Sequence, residues 1–426
     1  MQIDRRRFLG NSAKAVLVAG TLAHGKVFGA NDRIGIGVIG LNGRGGKFID
    51  EYAGKGKTRV VALCDVDAHV LERRVKETDR KQRGNPKPYR DIRALLADED
   101  VDAVCIATPN HWHTLAAIWA CAAGKDVYVE KPLSHEVWEG RQLVAAAQRY
   151  NRIVQHGTQR RSESDWLRDI EALHNGVIGD VFKARAVCYK TGNRKSIGFA
   201  APATPPEYLD WGRWQGPAQE RDYCANYVHY NWHWFWDYGN GEIGNQGVHQ
   251  MDVATWGLAK GLPVRVYSAG GRYAWNDQGE TPNTQTATFT YADGATLDFE
   301  VRNLGSYEEA GVTVGNMFFG TEGYFVEGKG FYDLKHRRIK VKKKGRFPDC
   351  FERFIDAVRT RDTDAVPANA LDGHIASAHC HLANISYRLG RSLDFDPKTE
   401  SFIGDDEANA MTRRVYRPGF EVPQLA

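Results

Sequence analysis

The sequence lacks a CxxC pair, and its seven cysteines, Cys64, Cys105, Cys121, Cys188, Cys224, Cys350 and Cys380, are scattered singly along 426 residues. An odd, dispersed set makes neither a disulfide framework nor a cysteine-rich zinc site. No run beyond residue 30 approaches the ~18 apolar residues that a membrane helix needs, so no stable membrane insertion is expected. An excess of one charge sign is also missing: 57 basic residues against 53 acidic ones leave +4. Arg5, Arg6, Arg7, Lys14 and Lys26 against Asp4 already account for that excess. The near-neutral remainder argues against nucleic acid as a partner, since phosphate binding needs a large basic surface. Internal repeats and low-complexity segments are absent as well. What is present is an ordinary globular composition, 42% apolar and 26% charged, in a chain long enough for two or three domains of ~100–200 residues.

Residues 1–30 read as a targeting segment. Asp4-Arg5-Arg6-Arg7-Phe8-Leu9-Gly10 is similar to a twin-arginine export signal, followed by a short apolar stretch at 15–23 and small residues at Gly29 and Ala30. The expectation is a protein exported already folded, to the periplasm or outside the cell. Folding before export also agrees with the unpaired cysteines.

From residue 33 the pattern alternates apolar strands with helices. Strands are expected at 34–40, 58–65, 101–108, 126–129 and 153–156, and helices at 45–55, 68–81, 91–97, 111–123 and 135–150. Continuous apolar strands between helices imply a doubly wound parallel sheet covered on both faces, here a Rossmann domain over 31–157. After residue 158 the strands lengthen and alternate, at 181–190, 264–269, 284–291, 295–301 and 317–320, with helices returning at 349–361 and 373–389. That texture predicts an α+β domain over 158–426 with a large, mostly antiparallel sheet. The Pro-rich tail, 417–426, is expected to wrap the surface, and the basic run 335–346 to form a solvated hairpin.

Where the first strand turns into the first helix stands Gly37-Val38-Ile39-Gly40-Leu41-Asn42-Gly43-Arg44-Gly45. Glycine there lets the backbone approach a pyrophosphate, and the helix N-terminus adds a partial positive charge for it. Asp65 ends the second strand, where a carboxylate accepts from both ribose hydroxyls and repels a 2′-phosphate. No Arg or Lys follows directly, so NAD is expected over NADP. Asn42 stands where a second glycine is usual.

Thr108-Pro109-Asn110-His111-Trp112-His113, Glu130-Lys131-Pro132 and the stretch Gly241-Glu242-Ile243-Gly244-Asn245-Gln246-Gly247-Val248-His249-Gln250-Met251-Asp252 together resemble the Gfo/Idh/MocA (glucose–fructose oxidoreductase, inositol dehydrogenase, rhizopine catabolism) family. The likeness runs from about residue 33 to the end of the chain. It implies an active site in the cleft between the two domains, with Lys131 near the nicotinamide and the reacting hydroxyl and Pro132 in a cis bond. It also implies that Thr108, Asn110, His113 and Glu130 lie along the cofactor with Gly40, Asn42, Gly43, Arg44 and Asp65. His249 matches the histidine that exchanges the substrate proton.

The chemistry agrees: an ammonium at Lys131 stabilises a developing alkoxide, and an imidazole at His249 takes a proton near neutral pH. On a helix, Asn245, His249 and Asp252 would share one face. Dehydrogenases of this kind often carry Asp where this chain has Asn245, so either His249 works with Asp252 or the reaction is not a simple dehydrogenation. The alternative for His249 is a satisfied structural histidine, and for Lys131 a surface lysine at a strand end.

Aromatic residues crowd 227–238 and Trp211–Trp214. Flat rings stack on sugar C–H faces, though much of this is expected to be packing. Trp214, Gln159 and Arg160 are candidate substrate contacts. His229, His233, His249, His374, His379 and His381 lack a recognised ligand spacing, so no metal is expected. The substrate class expected is a sugar, polyol or glycoside, in a homo-oligomer by family likeness. Three activities stay open: an NAD-linked oxidoreductase, a redox-neutral NAD-dependent glycoside hydrolase or lyase working through a transient keto-sugar, and a sugar-binding protein without turnover.

Overall fold

Six short strands pair, all parallel, in the order β3-β2-β1-β4-β5-β6. They are β1 (Ile34–Ile39), β2 (Thr58–Cys64), β3 (Lys87–Tyr89), β4 (Ala103–Ile106), β5 (Asp126–Val129) and β6 (Val154–His156). The computed structural model describes residues 33–190, 194–342, 345 and 347–426, so the proposed export segment lies outside the described residues. All six residues of β1 are buried, as expected for a sheet covered on both faces. Each fully buried Ile or Val contributes about 1.5–3 kcal/mol.

The covering helices are α1 (Arg44–Tyr52), α2 (Ala68–Gln82), α3 (Ile92–Leu96), α4 (Asn110–Ala122) and α5 (Val137–Arg149). Local chemistry sets their ends. The Asp67 carboxylate accepts from the Val70 N–H at 3.0 Å to start α2, and Asp91 does the same for α3 from Arg93. The strand β3, with Pro88 inside it, falls outside the sequence expectation. It is an edge strand, the one place where a proline costs no ladder bond.

After α6 (Ser164–His174) the chain enters a sheet of ten strands, ordered β14-β13-β12-β11-β7-β10-β9-β8-β15-β16. Its centre is β7 (Val181–Tyr189), paired parallel with β10 (Thr296–Arg302) and antiparallel with β11 (Val314–Gly320). Strands β8 (Arg265–Gly271) and β9 (Thr284–Thr290) continue the antiparallel part. Burial alternates along β9 and β10, the period of a sheet with one covered face. Past β11 the strands β12 (Gly323–Val326), β13 (Gly330–Asp333) and β14 (Arg338–Ile339) extend one edge, and β14 carries part of the basic run.

Helix α8 (Val248–Leu258) follows α7 (Trp211–Gln215) and, with α10 (Ala370–Leu389), lies on the covered face; Met251, Leu258 and Leu382 pack there against Phe289, Phe299 and Phe318. On the other face Lys183 pairs with Asp298 at 2.5 Å and Arg185 with Glu300 at 2.6 Å.

Two later segments return to the first sheet. Helix α9 (Cys350–Thr360) packs Phe354, Ile355 and Val358 with Phe48, Tyr52 and Tyr128. The tail beyond the short strands β15 (Leu393–Asp396) and β16 (Ser401–Phe402) crosses to α5, where the Leu425 and Ala426 N–H groups donate to Gln142 at 2.5 and 2.9 Å. Val422 is buried on the way.

Candidate active site

A cavity of about 400 Å³ opens at the carboxyl ends of β1, β2, β4 and β5 and is roofed by the second domain. That is where an open parallel sheet takes its ligand. Its first wall is the β1–α1 turn. Gly40 has φ +80°, and a Cβ there would lie 2.7 Å from the Ala107 carbonyl oxygen. A Cβ at Gly45 would meet the Gly40 oxygen at 1.8 Å, whereas one at Gly43 meets nothing within 4 Å. The first two glycines hold the turn together; the third leaves open space toward the cavity. Asn42 is exposed, and its Oδ1 accepts from Arg73 at 3.4 Å on α2, so the side chain is turned aside from the glycine turn.

Asp65 follows β2. Its two oxygens accept from the Leu41 N–H at 2.8 Å and the Asp67 N–H at 2.9 Å. Burial pushes its carboxyl above the ordinary range, opposed by those two amides. Arg44 donates to Glu130 at 2.6 Å, yet among the described residues its Nη2 is buried without a partner, and so is the Thr108 Oγ1. Unpaired buried polar atoms are costly and call for a ligand. A glycine cradle at a helix N-terminus, a carboxylate at the end of β2 and two unpaired polar atoms fit a dinucleotide.

His113 and Asn110 line the cavity and also brace its walls. The His113 ring nitrogens sit 2.6 Å from the Pro132 carbonyl oxygen and 2.8 Å from that of Thr108, so the ring staples the β4 and β5 loops together. Asn110 donates to Asn240 at 3.1 Å. Between these loops the Lys131–Pro132 bond is cis, as the resemblance implies.

Lys131 projects into the cavity and donates to both oxygens of Asn245, at 2.6 Å to the main chain and 3.1 Å to the side chain. Burial pushes its ammonium down to about 8, with Lys190 and Arg44 acting the same way and Glu130 and Glu242 opposing. His249 lines the same cavity. Its Nδ1 is buried without a partner, and burial, then Lys131, His156, Arg160 and Arg44, hold the ring well below the ordinary imidazole range. The ring is therefore neutral at neutral pH, able to accept a proton.

Asn245 sits in a wide, π-helical turn (Ile243–Gly247) that runs into α8. Such turns break the helical register and recur at functional sites. The proposed pairing of His249 with Asp252 is corrected here. Asp252 is fully buried outside the cavity lining, and accepts from Arg161 at 2.9 and 3.1 Å and from Thr158 at 3.0 Å. That ion pair ties α8 to the segment after β6. Arg160 is also turned away: it pairs with Glu327 at 2.7 Å and is outside the cavity lining, whereas Gln159 lies in it. Trp214 reaches the wall, stacked on Trp211 at 4.8 Å.

Several wall residues carry no signal in the sequence. Arg90, Asp91, Ile92 and Trp119 line the end away from Lys131, and Phe420 reaches it from the tail. The arm 227–238 supplies His229, Tyr230, Trp232 and His233, with the His229 Nε2 lying 3.1 Å from Asp67. His374, His379 and His381 are spent elsewhere, on Glu400, Tyr291 and Ser134. Among the described residues, no group of three or more His, Cys, Asp or Glu is placed to hold a metal.

Comparison with known proteins agrees with this geometry. Residues 34–158 match the family model for the oxidoreductase family NAD-binding Rossmann fold, and residues 189–422 that for the oxidoreductase family C-terminal alpha/beta domain. A Shewanella sp. (strain ANA-3) protein named glycosyl hydrolase family 109 protein 2 is 31% identical over 187 residues, 42% of this chain and 40% of that one. A glycosyl hydrolase family 109 protein of Saccharopolyspora erythraea is 30% identical over 164 residues, 37% and 35% of the two chains. The match thus spans about two fifths of those relatives. Among solved structures, the WlbA dehydrogenase from Bordetella pertussis, in complex with NADH and UDP-GlcNAcA, has a TM-score of 0.64 at 20% identity, covering 86% of this chain and 99% of that one. The aldose-aldose oxidoreductase from Caulobacter crescentus, complexed with glycerol, gives 0.62 at 17% identity, covering 85% and 100%. These structural likenesses bear on the fold.

Proposed function

This chain belongs to the Gfo/Idh/MocA oxidoreductase family, with its NAD-binding Rossmann domain and C-terminal alpha/beta domain, and on that premise we propose that it oxidises a hydroxyl of a sugar or polyol using an enclosed NAD. The observation that carries this reading is Lys131: a partly buried ammonium, fixed by Asn245, facing a cavity that also holds the unpartnered Thr108 hydroxyl and the neutral His249 ring. The turn 40–44 and the N-terminus of α1 would take the pyrophosphate, Asp65 the ribose hydroxyls, and Thr108, Glu130 and Lys131 the nicotinamide end. NAD, when bound, supplies the hydride acceptor. Lys131 donates a hydrogen bond to the substrate oxygen as it gains negative charge, and His249 accepts the hydroxyl proton. Both side chains are half-buried beneath the second domain.

The test is to strip the purified protein, reload it with NAD and follow NADH absorbance on mixing with a panel of sugars and polyols. A single-turnover rise that disappears in Lys131→Met supports the reading; no rise with any of them overturns it.

A second reading is favoured by Asn245. Its amide cannot serve as a base, and Asp252 is spent on Arg161, so among the described residues no carboxylate is paired with His249 for net proton removal. In a redox-neutral cycle the hydride returns and a glycosidic bond is cleaved through the keto-sugar. The relatives named glycosyl hydrolase family 109 support it over the matched two fifths. Release of aglycone from aryl glycosides without net NADH separates the two readings. Export by the twin-arginine route and a homo-oligomer belong to the same proposal, supported by Arg5, Arg6 and Arg7 and by the family likeness. Cell fractionation and light scattering test them.

A further inference from the structure

The cavity wall carries a further buried imidazole that neither reading above employs. His233 lies on a tight turn (Asn231–Trp234) of the aromatic arm, 8% exposed, and lines the cavity together with Lys131, Asn245 and His249. Two contacts fix its ring. The Nδ1 is 2.6 Å from the Tyr230 carbonyl oxygen, which can only accept, so Nδ1 carries the proton and Nε2 carries a lone pair. The ring is stacked on Trp232, 3.6 Å between centroids and 18° between planes. The turn itself is pressed against Gly239, where a Cβ would lie 2.6–2.8 Å from the His233 backbone. Among the described residues, no group bonds Nε2. Burial, then Lys131, Arg194 and His113, push the imidazole down to about 3, opposed by the Tyr230 carbonyl, so it is uncharged throughout the neutral range.

His249 differs in the respect that counts. Among the described residues its Nδ1 has no partner that selects a tautomer. His233 and His249 both line the cavity with the Lys131 ammonium, and of these two only His233 presents a pre-set acceptor.

We propose that the Nε2 of His233 is the base that removes a carbon-bound proton next to the carbonyl formed by oxidation of the sugar. The inference rests on the keto-sugar chemistry of the proposed function and deepens its second reading. The step balances within the cavity. The C–H bond breaks, its proton passes to Nε2, and the electron pair moves into the C–C bond while the carbonyl oxygen becomes an enolate, held by the Lys131 ammonium. Reprotonation from the same imidazolium reverses it. If the carbon beyond carries a glycosidic oxygen, that C–O bond breaks instead and the proton leaves with the departing alcohol. Pre-organised acceptors of this kind give about 10²–10⁴-fold.

The test supplies the ketone directly and so needs no hydride transfer. The purified protein is incubated in D₂O with a keto derivative of 1,5-anhydroglucitol, which has no anomeric leaving group, and deuterium wash-in beside the carbonyl is followed by NMR. The native protein is expected to accelerate wash-in over buffer. His233→Asn, whose amide still donates to the Tyr230 carbonyl but has no atom at the Nε2 position, is expected to lose at least about 100-fold of that rate. In His233→Ala, added imidazoles restore it in the order of their basicity, which a packing role would not produce. A native protein that does not accelerate wash-in, or a variant with melting temperature and wash-in rate both unchanged, overturns the proposal. Failure of the hydride-transfer reading appears instead as absent NADH absorbance, to which the wash-in assay is blind.

Discussion

The ammonium of Lys131 donates to both oxygens of Asn245, 2.6 Å to the main chain and 3.1 Å to the side-chain amide. A carboxylate in place of that amide would satisfy the same geometry and add a negative charge. The amide leaves the ammonium held by dipoles alone on that side, and burial then carries its titration down to about 8.

Asn245→Asp therefore raises the titration of Lys131, because an opposite charge within hydrogen-bond distance favours the ammonium. Turnover that needs the protonated lysine falls on the alkaline side near pH 8 in the native protein. In the variant that limb moves up by at least about one pH unit. Stability follows the same group. A lysine titrating lower in the folded protein binds fewer protons than the unfolded chain between about 8 and 10.5, so native stability gains a favourable contribution as pH rises through that window. Asn245→Asp removes most of that gain. Single-turnover NAD reduction and thermal melts across pH 6–11 measure both, and an unmoved alkaline limb would sink the assignment.

Two glycines of the β1–α1 turn separate fold from ligand. A methyl at Gly45 meets the Gly40 oxygen at 1.8 Å, while one at Gly43 has open space. Gly45→Ala is expected to cost about 1–3 kcal/mol of stability, read as a lowered melting temperature. Gly43→Ala costs the apo protein less and weakens NAD instead, since its methyl occupies the space left for the pyrophosphate. Calorimetric titration of stripped protein with NAD decides. Equal affinities for native and Gly43→Ala protein would remove this turn from the cofactor site.

Asp252 is placed by structure and not by its position in the motif. Replacing it by Asn leaves the buried Arg161 guanidinium with Asp372, at 3.1 Å, as its remaining charge partner, a loss of about 1.5–3 kcal/mol. The loss is expected in the melting temperature, with NAD affinity retained and the acid limb of the pH–rate profile unmoved. A displaced acid limb would return Asp252 to the proton path.

How far the sequence reaches depends on the kind of contact. The other five Rossmann strands, the glycine turn and Asp65 were legible because each follows from short-range pattern: continuous apolar runs, a glycine free to take φ > 0, a carboxylate at a strand end; Lys131 was legible through the family resemblance. Strand β3 was not, because Pro88 argues against a strand unless its place at the sheet edge is known. Asp252 was misplaced because helical spacing alone put it beside His249; the wide turn over Ile243–Gly247 and the Arg161 pairing depend on residues some ninety positions away. His233 was visible only as one of several histidines, since its role rests on a carbonyl three residues back and a cavity built by the other domain. Phe420 carries no local signal whatever.

That last residue makes the sharpest prediction about how the cofactor is kept. Phe420 crosses from the tail to the end of the cavity away from Lys131, edge-on to Trp112 at 5.6 Å between centroids, with the Arg417 guanidinium 4.5 Å from its ring. Arg93 lies over both Phe420 and Trp119. Opposite, the arm bearing His229 is anchored on Asp67. A ligand running the length of the cavity is thus covered at one end by the tail and along its side by the arm, and leaves only if one of them lifts. Phe420→Ala removes the wedge without touching Lys131, His249 or Asp65. It is expected to speed NAD release at least about tenfold, equivalent to about 1.4 kcal/mol, while the reduction rate of NAD already bound stays within about twofold. Stopped-flow release into excess competing nucleotide measures the first and single-turnover absorbance the second. Unchanged release would mean that the arm alone retains the dinucleotide and that the tail serves only the stability of the first domain.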